Sequence, residues 1–172
     1  MTVADKIGNE YKKWKPRNIY LINAGTGQGK SYFVTNQLYQ HAEENNKKIL
    51  LICNRTILKE QVDEAINEKK IDTLMYQKLE YHNRRHNLQY ELKGDIVPVL
   101  NEYDYVVLDE AHYIYSDSPF NRYTDVIQKA LEDCKAVIVM LSATPHLIKK
   151  DYENRIKKEY IIKSDYSYLV IE

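Results

Sequence analysis

From Ala24 to Ser31 the chain reads AGTGQGKS, with glycine at every second position from Gly25 and a lysine and a hydroxyl at its end. Gly25, Gly27 and Gly29 give the backbone access to conformations closed to residues with a Cβ, so successive N–H groups can turn inward around an anion. The spacing fits the phosphate-loop pattern, with Ala24 where that pattern has glycine, and Thr26 and Gln28 filling the loop. Lys30 is placed to reach the β- and γ-phosphates of a nucleotide such as ATP, and the Ser31 hydroxyl to ligate Mg²⁺. An apolar run, IYLINA (19–24), precedes the loop, and a helical pattern follows it. A helix starting near Gly29 would add the partial positive charge of its N-terminus. A glycine-rich turn that binds nothing is the plain alternative, but it needs no Lys-Ser pair. By itself the loop points to a nucleotide and not to a reaction.

A second group with chemical potential is the acidic pair in YVVLDEAH (105–112). Asp109 and Glu110 follow a short apolar run, which puts them at the C-terminal end of a buried strand, the edge of an open α/β sheet where ligands bind. Asp109 suits Mg²⁺, directly or through water. Glu110 suits the polarisation of an attacking water, help worth roughly 10² to 10⁴ in rate. Alone, such a pair often only caps the following helix. Its spacing of about 80 residues from the loop leaves room for βαβ units. His82 and His86, four apart, could face one metal, but neither a third ligand nor a following Glu supports a zinc site.

Taken with SATP (142–145) after the run AVIVML (136–141), these stretches resemble, in order, motifs I, II and III of the superfamily 2 (DEAD/DEAH-box-like) helicases and translocases. Each occurs alone in many proteins, whereas the ordered set at these intervals is specific. ICNRTILKEQ resembles the motif Ia region, with Arg55, Leu58 and Gln61 matching, and TLMYQKLE resembles the segment after it, with Thr73. The resemblance implies an N-terminal RecA-like ATP-binding domain, with Glu110 and Lys30 catalytic and Ser31 and Asp109 on the metal. It implies that His112 bonds toward the SAT segment, making Ser142 and Thr144 coupling residues, and that Arg55 and Thr73 track nucleic-acid phosphates. Two departures stand out. No glutamine precedes the loop in EYKKWKPRN to read adenine, and no second RecA-like domain, the source of the arginine finger, follows the third motif.

The elements that must hold these residues are legible as well. IYLINA, KILLIC (48–53), IDTLMY (71–76), YVVLDE (105–110) and AVIVML are apolar at nearly every position, as strands covered on both faces are. KSYFVTNQLYQHAEENN, RTILKEQVDEAINEKK and NRYTDVIQKALEDC space apolar residues three and four apart, as amphipathic helices do. The alternation predicts an α/β three-layer sandwich with a mainly parallel sheet. The tail EYIIKSDYSYLVIE reads as a strand or two at the sheet's end, Gly94 and Pro98 as breaks, and YIYSDSPFNRY as a loop.

With 172 residues and no compositional shift, one domain over 1–172 is expected. Lys plus Arg equal Asp plus Glu at 25 each, so no global field recruits nucleic acid. The basic clusters at Lys12, Lys13, Lys15 and Arg17, at 82–86, and at Lys149, Lys150, Arg155, Lys157 and Lys158 read as solvated faces. The 16 tyrosines reflect compositional bias more simply than base stacking. Cys53 and Cys134 read as buried thiols in a reducing compartment. No membrane span or signal peptide is evident, so the cytoplasm is expected. Two functions are open at this point. One is an ATPase domain coupled to nucleic acid and to a second RecA-like domain in cis or trans; the other is a stand-alone nucleotide-dependent binding or regulatory module that partners another chain. The retained Glu110 favours the first, and SATP argues against an unrelated phosphate-loop ATPase.

Overall fold

The computed structural model of the chain describes residues 1–53, 71–76, 97–115 and 122–163. Its strands are β1 (Ile19–Ala24), β2 (Ile49–Cys53), β3 (Ile71–Met75), β4 (Tyr105–Leu108), β5 (Val137–Ser142) and β6 (Ile156–Ile162). They form one sheet in the order β3-β2-β4-β5-β1-β6, and every pairing is parallel. Parallel strands need crossovers that cover both faces, which is why each central strand is apolar at nearly every position. Alternate side chains separate cleanly into two cores. Tyr20, Ile22, Val107, Val139 and Leu141 pack on one face with Phe33, Val34 and Leu38 from the segment after the loop. Leu21, Leu50, Val106, Ile138 and Met140 pack on the other with Leu100, Leu131, Ile148 and Tyr152. The three layers are those expected from the sequence, and the sheet is wholly parallel among the described residues.

The helices are α1 (Val3–Ile7), α2 (Lys30–Tyr32), α3 (Tyr39–Glu44), α4 (Val97–Leu100), α5 (Arg122–Asp133) and α6 (His146–Tyr152). Between α2 and α3 the coil widens into a π-helical stretch, Phe33–Leu38. There Thr35 Oγ1 donates to Ser31 O (2.9 Å) and Asn36 Nδ2 to Tyr32 O (3.1 Å), side chains claiming carbonyls one turn back. Pro98 sits in the first turn of α4, where a missing N–H costs nothing, while Gly94 and the stretch before it lie outside the described residues. β6 begins at Ile156, before the tail stretch read as strand, and the predicted helix over RTILKEQVDEAINEKK lies outside the described residues. β3 is an edge strand with Asp72 and Thr73 exposed, not a strand covered on both faces. Both cysteines are reduced thiols; Cys134 is buried and Cys53 only half-buried. No helix of the described residues is long and apolar enough to cross a membrane.

The first 17 residues, unassigned from sequence, form part of the core. Thr2 and Asp5 make a reciprocal cap for α1, with Asp5 N donating to Thr2 Oγ1 (3.2 Å) and Thr2 N to Asp5 Oδ2 (2.8 Å). A 3₁₀ turn (Glu10–Lys13) then delivers Trp14 onto Tyr20, stacked at 4.6 Å. The Trp14 indole N–H donates to Tyr160 Oη (3.1 Å), and that phenol donates to Glu10 Oε2 (2.9 Å), so the N-terminus is tied to β6.

The register sets the site. Asn23 lies opposite Ser142 across β1 and β5, and Leu108 opposite Met140 across β4 and β5. The residues that leave β1, β4 and β5 therefore emerge together at one end of the sheet, bringing Ala24, Asp109 and Ser142 to a common rim.

Candidate nucleotide site

The loop from Gly25 to Gly29 turns β1 into α2. Gly27 and Gly29 have φ of 75° and 86°, the left-handed region that a Cβ disfavours, and Gly29 is the residue from which α2 starts. Gly25 is not in that region, so only two of the three glycines are demanded by backbone conformation. The loop is braced from two sides. The Gly25 N–H donates to Gln28 Oε1 across the turn, and the Val3 N–H from α1 donates to Gln28 O at 2.9 Å. Ala24 is buried, while Thr26 and Gly27 at the tip are exposed. The N-terminal brace was missed in the sequence, although the Thr2–Asp5 spacing is a capping signal that marks it.

Lys30 is buried, with its Nζ donating to Ala24 O at 2.9 Å and facing Glu110 Oε1 at 3.3 Å. The loop and the acidic pair, 80 residues apart in sequence, thus meet at one ammonium group. Glu110 has φ of 47°, a left-handed conformation unusual for a residue with a side chain. Its other oxygen, Oε2, lies 3.4 Å from His112 Nδ1, and that nitrogen is 3.1 Å from Ser142 Oγ. Ser142 is fully buried and its Oγ accepts from the Thr144 N–H at 3.1 Å, while the Thr144 side chain is exposed. A continuous polar path runs from Lys30 through Glu110 and His112 to Ser142 and Thr144.

Asp109 is pinned through its backbone. Its N–H donates to Ile52 O (2.8 Å), and its carbonyl accepts from the Tyr76 hydroxyl (2.8 Å). Its carboxylate accepts the Glu110 N–H at Oδ1 (3.0 Å). Burial first, and the neighbouring Glu110 second, push the Asp109 carboxyl above its ordinary range, with Lys30 offsetting part of this. Two carboxylates beside one ammonium fit a divalent cation, which would relieve that excess of negative charge. A hard cation takes oxygen ligands, and Mg²⁺ commonly takes only one or two from protein and the rest from phosphate and water. That is consistent with the lack of any cluster of three acidic, His or Cys ligands among the described residues. Asp109 and the exposed Ser31 hydroxyl at the start of α2 could hold such an ion against the phosphates.

Arg55, with Leu58 and Gln61, and the pair His82 and His86 lie outside the described residues. Thr73 is exposed in the middle of edge strand β3, opposite Leu51. At the other edge a groove of about 460 Å³ runs between α6 and β6, lined by Lys149, Lys150, Lys157 and Lys158 with Glu153 and Glu159. Its cations are partly neutralised, since Lys149 pairs with Glu159 at 2.7 Å and Lys158 with Glu10 at 2.5 Å.

The family model described as type III restriction enzyme, res subunit, matches residues 1–147. The chain belongs to that family. It is a superfamily 2 helicase-like RecA domain, in a family of helicase-like ATPases. Among solved structures it is similar to the Sulfolobus solfataricus SWI2/SNF2 ATPase core in complex with dsDNA, at 20% identity and a TM-score of 0.50. That likeness covers 83% of this chain and 31% of the other, so the res-family chain spans less than a third of the longer ATPase core, and what it supports is the fold. A comparison with curated proteins finds no match.

Proposed function

We propose that this chain is the ATP-binding domain of a superfamily 2 helicase or translocase. Its reaction would be Mg²⁺-dependent ATP hydrolysis coupled to nucleic acid, weak for this domain in isolation. The observation that carries the reading is the meeting of Lys30 and Glu110 at 3.3 Å, with His112 joining Glu110 to Ser142. A phosphate-loop lysine and a catalytic carboxylate are brought to one point, and the polar path away from them ends in the segment that resembles motif III.

In this reading the loop N–H groups and Lys30 hold the phosphates. Drawn to the phosphate oxygens, the Lys30 ammonium releases Glu110, whose carboxylate takes a proton from water. The water oxygen forms a bond to the γ-phosphorus as the bond to the β,γ-bridging oxygen breaks, and ADP leaves with the electron pair. Mg²⁺ bound by Ser31 and Asp109 would supply charge neutralisation at the β- and γ-oxygens. His112 stands where a change at Glu110 reaches Ser142 and Thr144. An arginine finger supplies about 10³ to 10⁵ in rate in comparable enzymes, so turnover depends on a second RecA-like domain in cis or trans. Arg55 and Thr73 are the proposed phosphate contacts to a nucleic-acid strand. Because the similar SWI2/SNF2 core is in complex with dsDNA, duplex DNA is the first substrate to try.

The test is ATP hydrolysis with and without DNA or RNA, with the second domain supplied. Stimulated turnover that vanishes in Glu110→Gln is expected. Tight nucleotide binding with no stimulated turnover would instead support the regulatory-module reading.

A further inference from the structure

We propose that Tyr76 is a positioning residue for this site, its hydroxyl fixing the Asp109–Glu110 peptide so that the Asp109 carboxylate faces the metal position. The inference rests on the ATPase reading and extends it to a residue outside the three motifs. Tyr76 follows the last residue of β3 and is 1% exposed, its ring against Tyr113 at 5.4 Å between centroids. Its hydroxyl donates to Asp109 O at 2.8 Å, which places the other side of the same peptide, the Glu110 N–H, 3.0 Å from Asp109 Oδ1. One peptide unit is thereby held at both ends, and the hydrogen bond at its N–H end orients the carboxylate.

The hold is needed because Glu110 sits at φ of 47°. Paired rotation about ψ of Asp109 and φ of Glu110 inverts the peptide and carries Glu110 to negative φ, relieving the strain. The inverted peptide would turn its carbonyl oxygen toward Asp109 Oδ1, oxygen against oxygen, and the carboxylate would be turned away. Tyr76 opposes this inversion, since inversion would strip a buried phenol of its acceptor.

The test is Tyr76→Phe, which keeps the ring on Tyr113 and removes only the donor. Binding of a fluorescent non-hydrolysable ATP analogue is titrated with and without Mg²⁺, alongside kcat and KM for ATP in the presence of the second domain. Loss of partners that orient metal ligands costs about 10- to 100-fold in metal affinity or activity. The expected result is a Mg²⁺ enhancement of analogue binding at least tenfold smaller than in the wild type, with Mg²⁺-free affinity unchanged and kcat reduced. Leu100→Ala, in the same core cluster, is the control for loosened packing. Tyr76→Phe with wild-type Mg²⁺ dependence overturns the inference and leaves the ATPase reading standing, and an equal loss in Leu100→Ala overturns it too. A wild-type chain whose analogue binding ignores Mg²⁺ overturns both.

Discussion

Glu110 offers a test in which stability and chemistry move in opposite directions. With φ of 47° it occupies a region that costs a residue with a Cβ roughly 1–2 kcal/mol. Glycine removes that cost but adds about 0.5–1 kcal/mol of backbone entropy to the unfolded chain. Compared with Glu110→Ala, Glu110→Gly should therefore be more stable by about 0.5–1 kcal/mol. Both variants lose the half-exposed carboxylate facing Lys30 at 3.3 Å, so that contribution cancels between them. For a chain of 172 residues the difference corresponds to a melting temperature about 1–4 °C higher for the glycine variant. The assay is thermal unfolding followed by circular dichroism in buffer free of nucleotide and Mg²⁺. ATP hydrolysis should be abolished in both. A glycine variant that melts at or below the alanine variant would refute the left-handed backbone at Glu110, and with it the need for the peptide to be held.

Three further outcomes follow from the same geometry. Asp109→Asn should raise stability at neutral pH in metal-free buffer, because burial and Glu110 raise the folded-state carboxyl above its unfolded value. The sign follows from proton binding: the folded state takes up the Asp109 proton first as pH falls, so the destabilising contribution of Asp109 fades on acidification and the advantage of Asn shrinks; the difference between wild-type and Asn melts across pH reads this. Lys30→Ala should abolish nucleotide binding in a fluorescence titration, and unchanged affinity would remove the phosphate-loop assignment. Tyr160→Phe leaves the buried Trp14 indole N–H without its acceptor and Glu10 with Lys158 as its remaining donor, and should cost about 1–3 kcal/mol in urea unfolding.

The strands could be read from sequence because a strand buried on both faces is apolar at successive positions, a pattern independent of partners. IYLINA coincides with β1 for that reason, and YVVLDE overshoots β4 only by the two acids that leave it. The N-terminal segment was harder. Val3, Ile7, Tyr11 and Trp14 recur at helical intervals, but lysines crowd between the last of them and mask the apolar face. Residues in the loop and the acidic pair were recognisable by type, whereas their conformations were not. Nothing in AGTGQGKS separates Gly25 from Gly27 and Gly29, and no turn residue marks Glu110 as left-handed. Tyr76 could not be found at all, since its partner is a backbone carbonyl 33 residues away and a carbonyl has no sequence signature.

The places where local rules are broken lie together. Lys30 is a buried cation, Asp109 a carboxyl raised by burial, and Glu110 a strained residue; each alone would be selected against in a segment that only had to fold. Two of them share a direction, because a polyanion carrying a divalent cation would answer both, with phosphate for Lys30 and metal for Asp109, while the backbone strain at Glu110 is held by its hydrogen-bonded peptide. Neighbouring residues keep the arrangement in place, with Val3 bracing the loop, Ile52 and Tyr76 the Asp109 backbone, and Ser142 the histidine beside Glu110. A fold that maintains strain by hydrogen bonds from four separate elements is one whose stability has been traded against a site. The same logic explains why the stabilising substitution predicted above at Asp109, and the backbone strain that glycine would relieve at Glu110, fall on the two residues proposed for the chemistry.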